Sequence, residues 1–256
     1  MPQPRQLNRA PRKRRNRQIN HHNPISLYCL PYAGGNAFSY RPLSACCPPE
    51  LVVSGVELPG RGLRTNEALC ISLEKLADDV FSQLRVNIAK GRYALFGHSM
   101  GAALAYLCLL RIRRAGLPLP EALFVSGKEA PTVSKGKVRH LLPRPAFIKM
   151  LHDLGGCPSE ILQNEDILNY FEPILRADFQ AVETWQHRAE EPLPVPLVVL
   201  FGRDDDVDRD EASAWSLETS GSFHLHELDG GHFFIQHHWK KIASIIGTTL
   251  GLTPPN

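Results

Sequence analysis

The chain has no uninterrupted apolar run near the ~20 residues that a membrane-spanning helix needs, so no membrane association is expected. Its six cysteines (Cys29, Cys46, Cys47, Cys70, Cys108 and Cys157) include no CxxC pair, and its histidines and cysteines do not cluster at zinc-type spacing. No metal is therefore expected. Cysteines in apolar surroundings read as buried, reduced thiols, which points to the cytoplasm. There are no internal repeats. Acidic residues are missing from the start of the chain, where the first is Glu50, whereas residues 1–24 carry seven Arg or Lys. Setting those seven aside leaves 22 basic against 26 acidic residues, so the formal charge of +3 belongs to a tail and the body is mildly acidic. That balance gives no case for a nucleic-acid-binding fold. The tail, residues 1–24, lacks hydrophobic periodicity and is expected to be disordered. Its Arg14-Arg15 pair is followed by no long apolar segment, so it does not read as an export signal.

What the chain does have, over residues 25–252, is an alternation of strand and helix patterns. Short apolar runs at 25–30, 51–58, 93–97, 122–127, 196–202 and 223–228 predict strands. Residues 72–88 place apolar side chains at 73, 76, 77, 80, 81 and 84, one face of a helix. Residues 101–116 are apolar nearly all round and stop at Gly116. A single α/β domain with a mostly parallel sheet covered on both faces follows. Residues 128–190 interrupt the alternation with helical pattern only. Near the carboxyl ends of the strands such an insert is expected to be a lid, the alternative being extra helices on the flank of the sheet. Within it, 166–185 has a continuous apolar face on which Phe171, Leu175 and Phe179 recur, and Pro173 should kink or break that helix.

The stretch Gly97-His98-Ser99-Met100-Gly101 follows a strand and opens a helix of small residues. In that context G-x-S-x-G is the nucleophile elbow of α/β-hydrolases, with glycines removing the side chains that a tight turn would crush. A serine hydroxyl needs a base and a carboxylate to orient that base. Asp205 has the expected spacing after Gly202, with Asp204 or Asp206 as alternatives one residue away. His232, after the last strand and a Gly-Gly turn, is the base candidate, whereas His98 is expected to point away from it. Backbone N–H groups of Met100 and Ala33 are the expected oxyanion donors.

Several motifs in order carry a further resemblance: LPYAGG (30–35), ELPGRGLR (57–64), GHSMGA (97–102), LGGCPSEIL (154–162), PILRADFQAVETW (173–185) and GGHFF (230–234). Together they resemble the type II thioesterases of nonribosomal peptide and polyketide assembly lines. The resemblance implies hydrolysis of acyl groups from the phosphopantetheine arm of acyl or peptidyl carrier proteins, no cofactor beyond that substrate-borne arm, and a helical lid. A monomer is the default. Two features depart from the family pattern, the basic tail and RDDDVD (203–208) in place of aspartate-proline. Two other readings stay open. One is a carboxylesterase or lipase acting on free small esters, and the other is a non-catalytic acyl-binding protein.

Overall fold

The six apolar runs become six strands: Ile25–Leu30 (β1), Leu51–Gly55 (β2), Tyr93–His98 (β3), Leu123–Ser126 (β4), Leu197–Gly202 (β5) and Phe223–Leu228 (β6). The computed structural model describes residues 24–133, 135–157 and 162–252, so the expected tail lies, Pro24 apart, outside the described residues. The strands form one sheet in the order β2-β1-β3-β4-β5-β6, and every neighbouring pair is parallel. β2 is shorter than its apolar run. After Gly55 only the Val56 N–H reaches back to β1, at Cys29 O (2.9 Å), before the chain turns away.

Strand side chains point alternately to the two faces, and both faces are buried. Tyr28, Leu95, Val125 and Val199 enter one core cluster, under helices Leu73–Ile88 and Met100–Arg114. Leu27, Phe96, Phe124 and Val198 enter the other, under Arg41–Ser44 and Trp239–Thr249. In chain order these helices are α1 (Arg41–Ser44), α2 (Leu73–Ile88) and α3 (Met100–Arg114), followed by α4 (Arg144–Leu154), α5 (Glu165–Glu183), α6 (Arg209–Ser213) and α7 (Trp239–Thr249). No helix among the described residues is long and apolar enough to cross a membrane.

The insert supplies α4 and α5 and has its own small core, in which Phe147, Leu151 and Leu168 are buried with Leu175 and Phe179 against them. Asn164 caps α5 by accepting the Asp166 and Ile167 N–H groups, both at 3.1 Å. Of the two outcomes expected at Pro173, a kink or a break, the break does not occur: α5 runs through it as one helix. The carbonyl that Pro173 leaves without a partner is that of Asn169, and both residues are exposed, so water can satisfy it.

Candidate active site

β1 is flanked by β2 on one side and β3 on the other, so the direction of winding switches between β1 and β3. A crevice opens there, at the carboxyl ends of the strands. Ala33 lies in the loop after β1, Ser99 after β3, Asp205 after β5 and His232 after β6.

Between β3 and α3 the chain reverses at a single residue. Ser99 has φ 53° and ψ −118°, and among the described residues no other non-glycine has a positive φ. That conformation is strained for an L-residue and persists only when the surroundings impose it. Here the Ser99 N–H is held by Ser126 O at 2.7 Å, and α3 starts at the next residue. A Cβ on Gly97 would lie 2.0 Å from Gly101 O, and one on Gly101 would lie 2.1 Å from Leu30 O. Any side chain at either position would push the turn apart. Ser99 therefore stands at the N-terminus of α3, where the first N–H groups, that of Met100 among them, have no partner within the helix.

The loops after β5 and β6 are stitched together. Arg203 N–H donates to Leu228 O (2.8 Å) and Asp204 N–H to Gly230 O (3.0 Å). This brings His232 Nδ1 to 3.0 and 3.1 Å from the two oxygens of Asp205, and His232 Nε2 to 3.0 Å from Ser99 Oγ. A carboxylate can only accept, so Nδ1 carries the proton and Nε2 presents its lone pair to the serine hydroxyl. The Asp205 side chain is 1% exposed. Its neighbours differ: Asp204 is exposed, and Asp206 points away from His232 to Lys137 and Arg139, each at 3.2 Å, at the polar rim of the cavity. The hydrogen bond from Lys137 holds the Asp206 carboxyl below the usual carboxylate range.

His98 does not turn away from the base. Its ring centroid lies 5.1 Å from that of His232, because the chain after His232 folds Phe233 and Phe234 against the same buried ring. Its Nδ1 is 3.0 Å from Ser126 Oγ and its Nε2 has no partner among the described residues. Burial, and then the nearby His232, push its pKa well below the ordinary imidazole value. A neutral His98 adds no charge that would oppose a proton on His232.

A cavity of about 520 Å³ opens onto Ser99, lined by Ala33, Met100 and His232 and, from the insert, by Phe179, Val182 and Trp185. Of the three aromatic and aliphatic residues expected to line it, only Phe179 does. Leu175 is turned to the loop at Gly34, and the Phe171 ring meets that of Tyr170 at 5.1 Å. The polar end of the cavity, with Lys128, Glu129, Lys135 and Lys137, went unread in the sequence. Burial lowers the Lys128 pKa, and Glu129, whose Oε1 is 2.5 Å from the ammonium, works against that shift. The signal was the charged run GKEAPTVSKGK (127–137), which leaves β4 at the same edge of the sheet as the other site loops.

Known proteins resemble this chain along most of its length. A family model described as a thioesterase domain matches residues 25–250. Thioesterase PikA5 of Streptomyces venezuelae is 34% identical over 90% of this chain and 82% of its own length. Two solved structures superpose closely. RedJ, a thioesterase from the prodiginine biosynthetic pathway in Streptomyces coelicolor, has a TM-score of 0.84 and 35% identity, covering 88% of this chain and 90% of its own. BorB, a type II thioesterase from the borrelidin biosynthetic cluster, has a TM-score of 0.82 and 38% identity, covering 90% and 94%. Sequence, family model and superposition agree over nearly the whole described chain, and it belongs to the thioesterase family as a hydrolase of thioesters with the α/β-hydrolase fold.

Proposed function

We propose that this chain removes acyl groups from the phosphopantetheine arm of acyl or peptidyl carrier proteins in nonribosomal peptide or polyketide assembly, with Ser99 as nucleophile, His232 as general base and Asp205 as its orienting carboxylate. One observation carries the reading: hydrogen-bond contacts run without a gap from Asp205 through His232 to a serine held at positive φ. Ser99 Oγ attacks the thioester carbonyl carbon while its proton passes to His232 Nε2. The oxyanion that forms accepts from the N–H groups of Met100 and Ala33. The intermediate collapses, the C–S bond breaks, and the sulfur of the arm leaves as a thiol, taking the proton from His232 Nε2 and freeing that nitrogen. Water, giving its proton to the same Nε2, then hydrolyses the acyl-enzyme.

The steps use only protein groups and water, and the phosphopantetheine belongs to the substrate. Residues 128–190 act as a lid over the acyl group, with the arm entering beside them. A cytoplasmic monomer fits this role, since carrier proteins work among reduced thiols and the six cysteines here are unpaired.

Ser99→Ala should lower turnover of an acyl-carrier protein by several orders of magnitude, leaving the ~10³–10⁴-fold over water that binding and the oxyanion donors supply. Most of the activity surviving in the folded variant would refute the mechanism. Wild-type kcat/KM should favour the carrier thioester over the matching oxygen ester, and the reverse order would identify a carboxylesterase. Capture of a fluorophosphonate by Ser99 would dispose of a purely binding role.

A further inference from the structure

Three of the motif segments, 30–35, 57–64 and 173–185, contribute only Ala33 to the steps above, yet they meet at one buried ion pair. Arg61, after β2, is 3% exposed and Asp178, in α5, is 0% exposed. The pair is bidentate, with Nη1 to Oδ2 at 2.5 Å and Nη2 to Oδ1 at 2.7 Å. Asp178 Oδ2 also accepts the Gly34 N–H at 2.8 Å. Gly34 is the third residue of a tight turn closed by Gly35 N–H donating to Tyr32 O at 2.8 Å, and its φ of +76° is what a type II turn requires there. From the same helix, Leu175 presses on that turn: a Cβ on Gly34 would fall 2.6 Å from Leu175 Cδ2.

A buried ion pair gains little net stability, because desolvating both ions offsets most of their attraction. What this pair supplies is geometry. The guanidinium fixes the plane of the carboxylate, and a remaining lone pair of the carboxylate fixes the Gly34 N–H. Ala33 precedes Gly34 in the turn and lines the cavity with Ser99. We infer that Asp178, held by Arg61, is a positioning residue that sets the Ala33 N–H at the oxyanion only while α5 is seated, so that docking of the insert and stabilisation of the transition state are coupled. The inference rests on the roles given above to Ser99 and Ala33. A thioester that enters while α5 is displaced meets a serine lacking its second donor, and is cleaved slowly until the insert closes over the acyl group.

Two charge-free double variants isolate the contact. Arg61→Gln with Asp178→Asn keeps an acceptor for Gly34, whereas Arg61→Met with Asp178→Leu removes it. On a butyryl thioester the Met/Leu double should lose about 10- to 100-fold in kcat with little change in KM, as expected for an interaction made in the transition state. The Gln/Asn double should exceed it in kcat by about tenfold. Equal kcat in the two doubles, or a loss confined to KM, would overturn the inference.

A second measurement uses the wild-type protein and does not depend on the doubles folding. Methylboronic acid should add to Ser99: the empty boron orbital takes the serine oxygen pair, the proton passes to His232, and a tetrahedral anion forms with no leaving group. With a single carbon it has no chain to extend along α5. Coupling between sites is reciprocal, so amide exchange at Gly34 and over residues 174–181 should slow by about threefold or more. An adduct with unchanged exchange would overturn the coupling alone. No adduct at Ser99 would overturn the reading of the site beneath it.

Discussion

Asp204, Asp205 and Asp206 are chemically identical in sequence and differ only in their surroundings. Asp205 faces the histidine with both oxygens and its side chain is shut off from water, while Asp204 faces solvent and Asp206 faces the partly buried Lys137 and Arg139. Asp205→Asn should therefore lower kcat by about 10³–10⁴-fold, because an amide that donates to Nδ1 moves the proton to Nε2, which can then no longer accept from Ser99. Asp204→Asn should stay within a few-fold of wild type. Asp206→Asn should do the same, since its carboxylate pairs with Lys137 and Arg139 and not with His232. Steady-state rates of the three single variants check this, and the largest loss falling at 204 or 206 would move the assignment by one residue. Sequence spacing favoured Asp205 but could not exclude a shift of one, because burial and direction come from how the loops after β5 and β6 pair.

At the scale of an element, α5 shows why an apolar face is easier to read than its use. The periodicity of 166–185 was legible, and the helix lies where it pointed. Which apolar residues meet substrate was not, because one continuous face serves three neighbours at once. Leu168 packs into the insert's own core with Leu175 and Phe179 against it, Leu175 also seats on the Gly34 turn, and Phe179 and Val182, one and two turns later, reach the cavity. Two bulky substitutions should then behave differently. Val182→Trp fills the cavity and should lower kcat/KM for octanoyl relative to acetyl thioester by about tenfold or more, since each buried methylene contributes on the order of 1 kcal/mol. Leu175→Trp pushes on the turn that carries Ala33 and should lower all chain lengths alike. Measuring kcat/KM across acetyl, butyryl and octanoyl thioesters separates the two. A chain-length shift in Leu175→Trp with none in Val182→Trp would put the acyl group against the wrong turn of the helix.

Over the whole molecule, local signals were legible in the chain and long-range ones were not. Strand runs, the α2 and α3 patterns and the elbow around Ser99 each depend on a few consecutive residues, and the sheet follows them closely. The Arg61–Asp178 pair joins residues 117 positions apart, and no periodicity marks it. His98 is a similar case, because its burial arises from the folding of the segment after β6 onto β3. That burial makes a prediction about global stability. His98 stays neutral in the folded protein well below the ordinary imidazole pKa of about 6.5, whereas the unfolded chain takes up a proton there. Below about pH 6.5 the unfolded state binds one more proton than the native state, so stability falls as pH falls. The slope approaches about 1.4 kcal/mol per pH unit and vanishes above about pH 7.5. His98→Gln removes this contribution while leaving the other titrating groups in place. Urea unfolding of both proteins at pH 8, 7, 6 and 5 should give a stability difference that is nearly constant from 8 to 7. Below pH 6 it should move in the variant's favour by about 1.4 kcal/mol per unit. Parallel curves across that range would mean that His98 takes up its proton as readily in the native state as in the unfolded chain, and that the ring beside His232 is not held neutral.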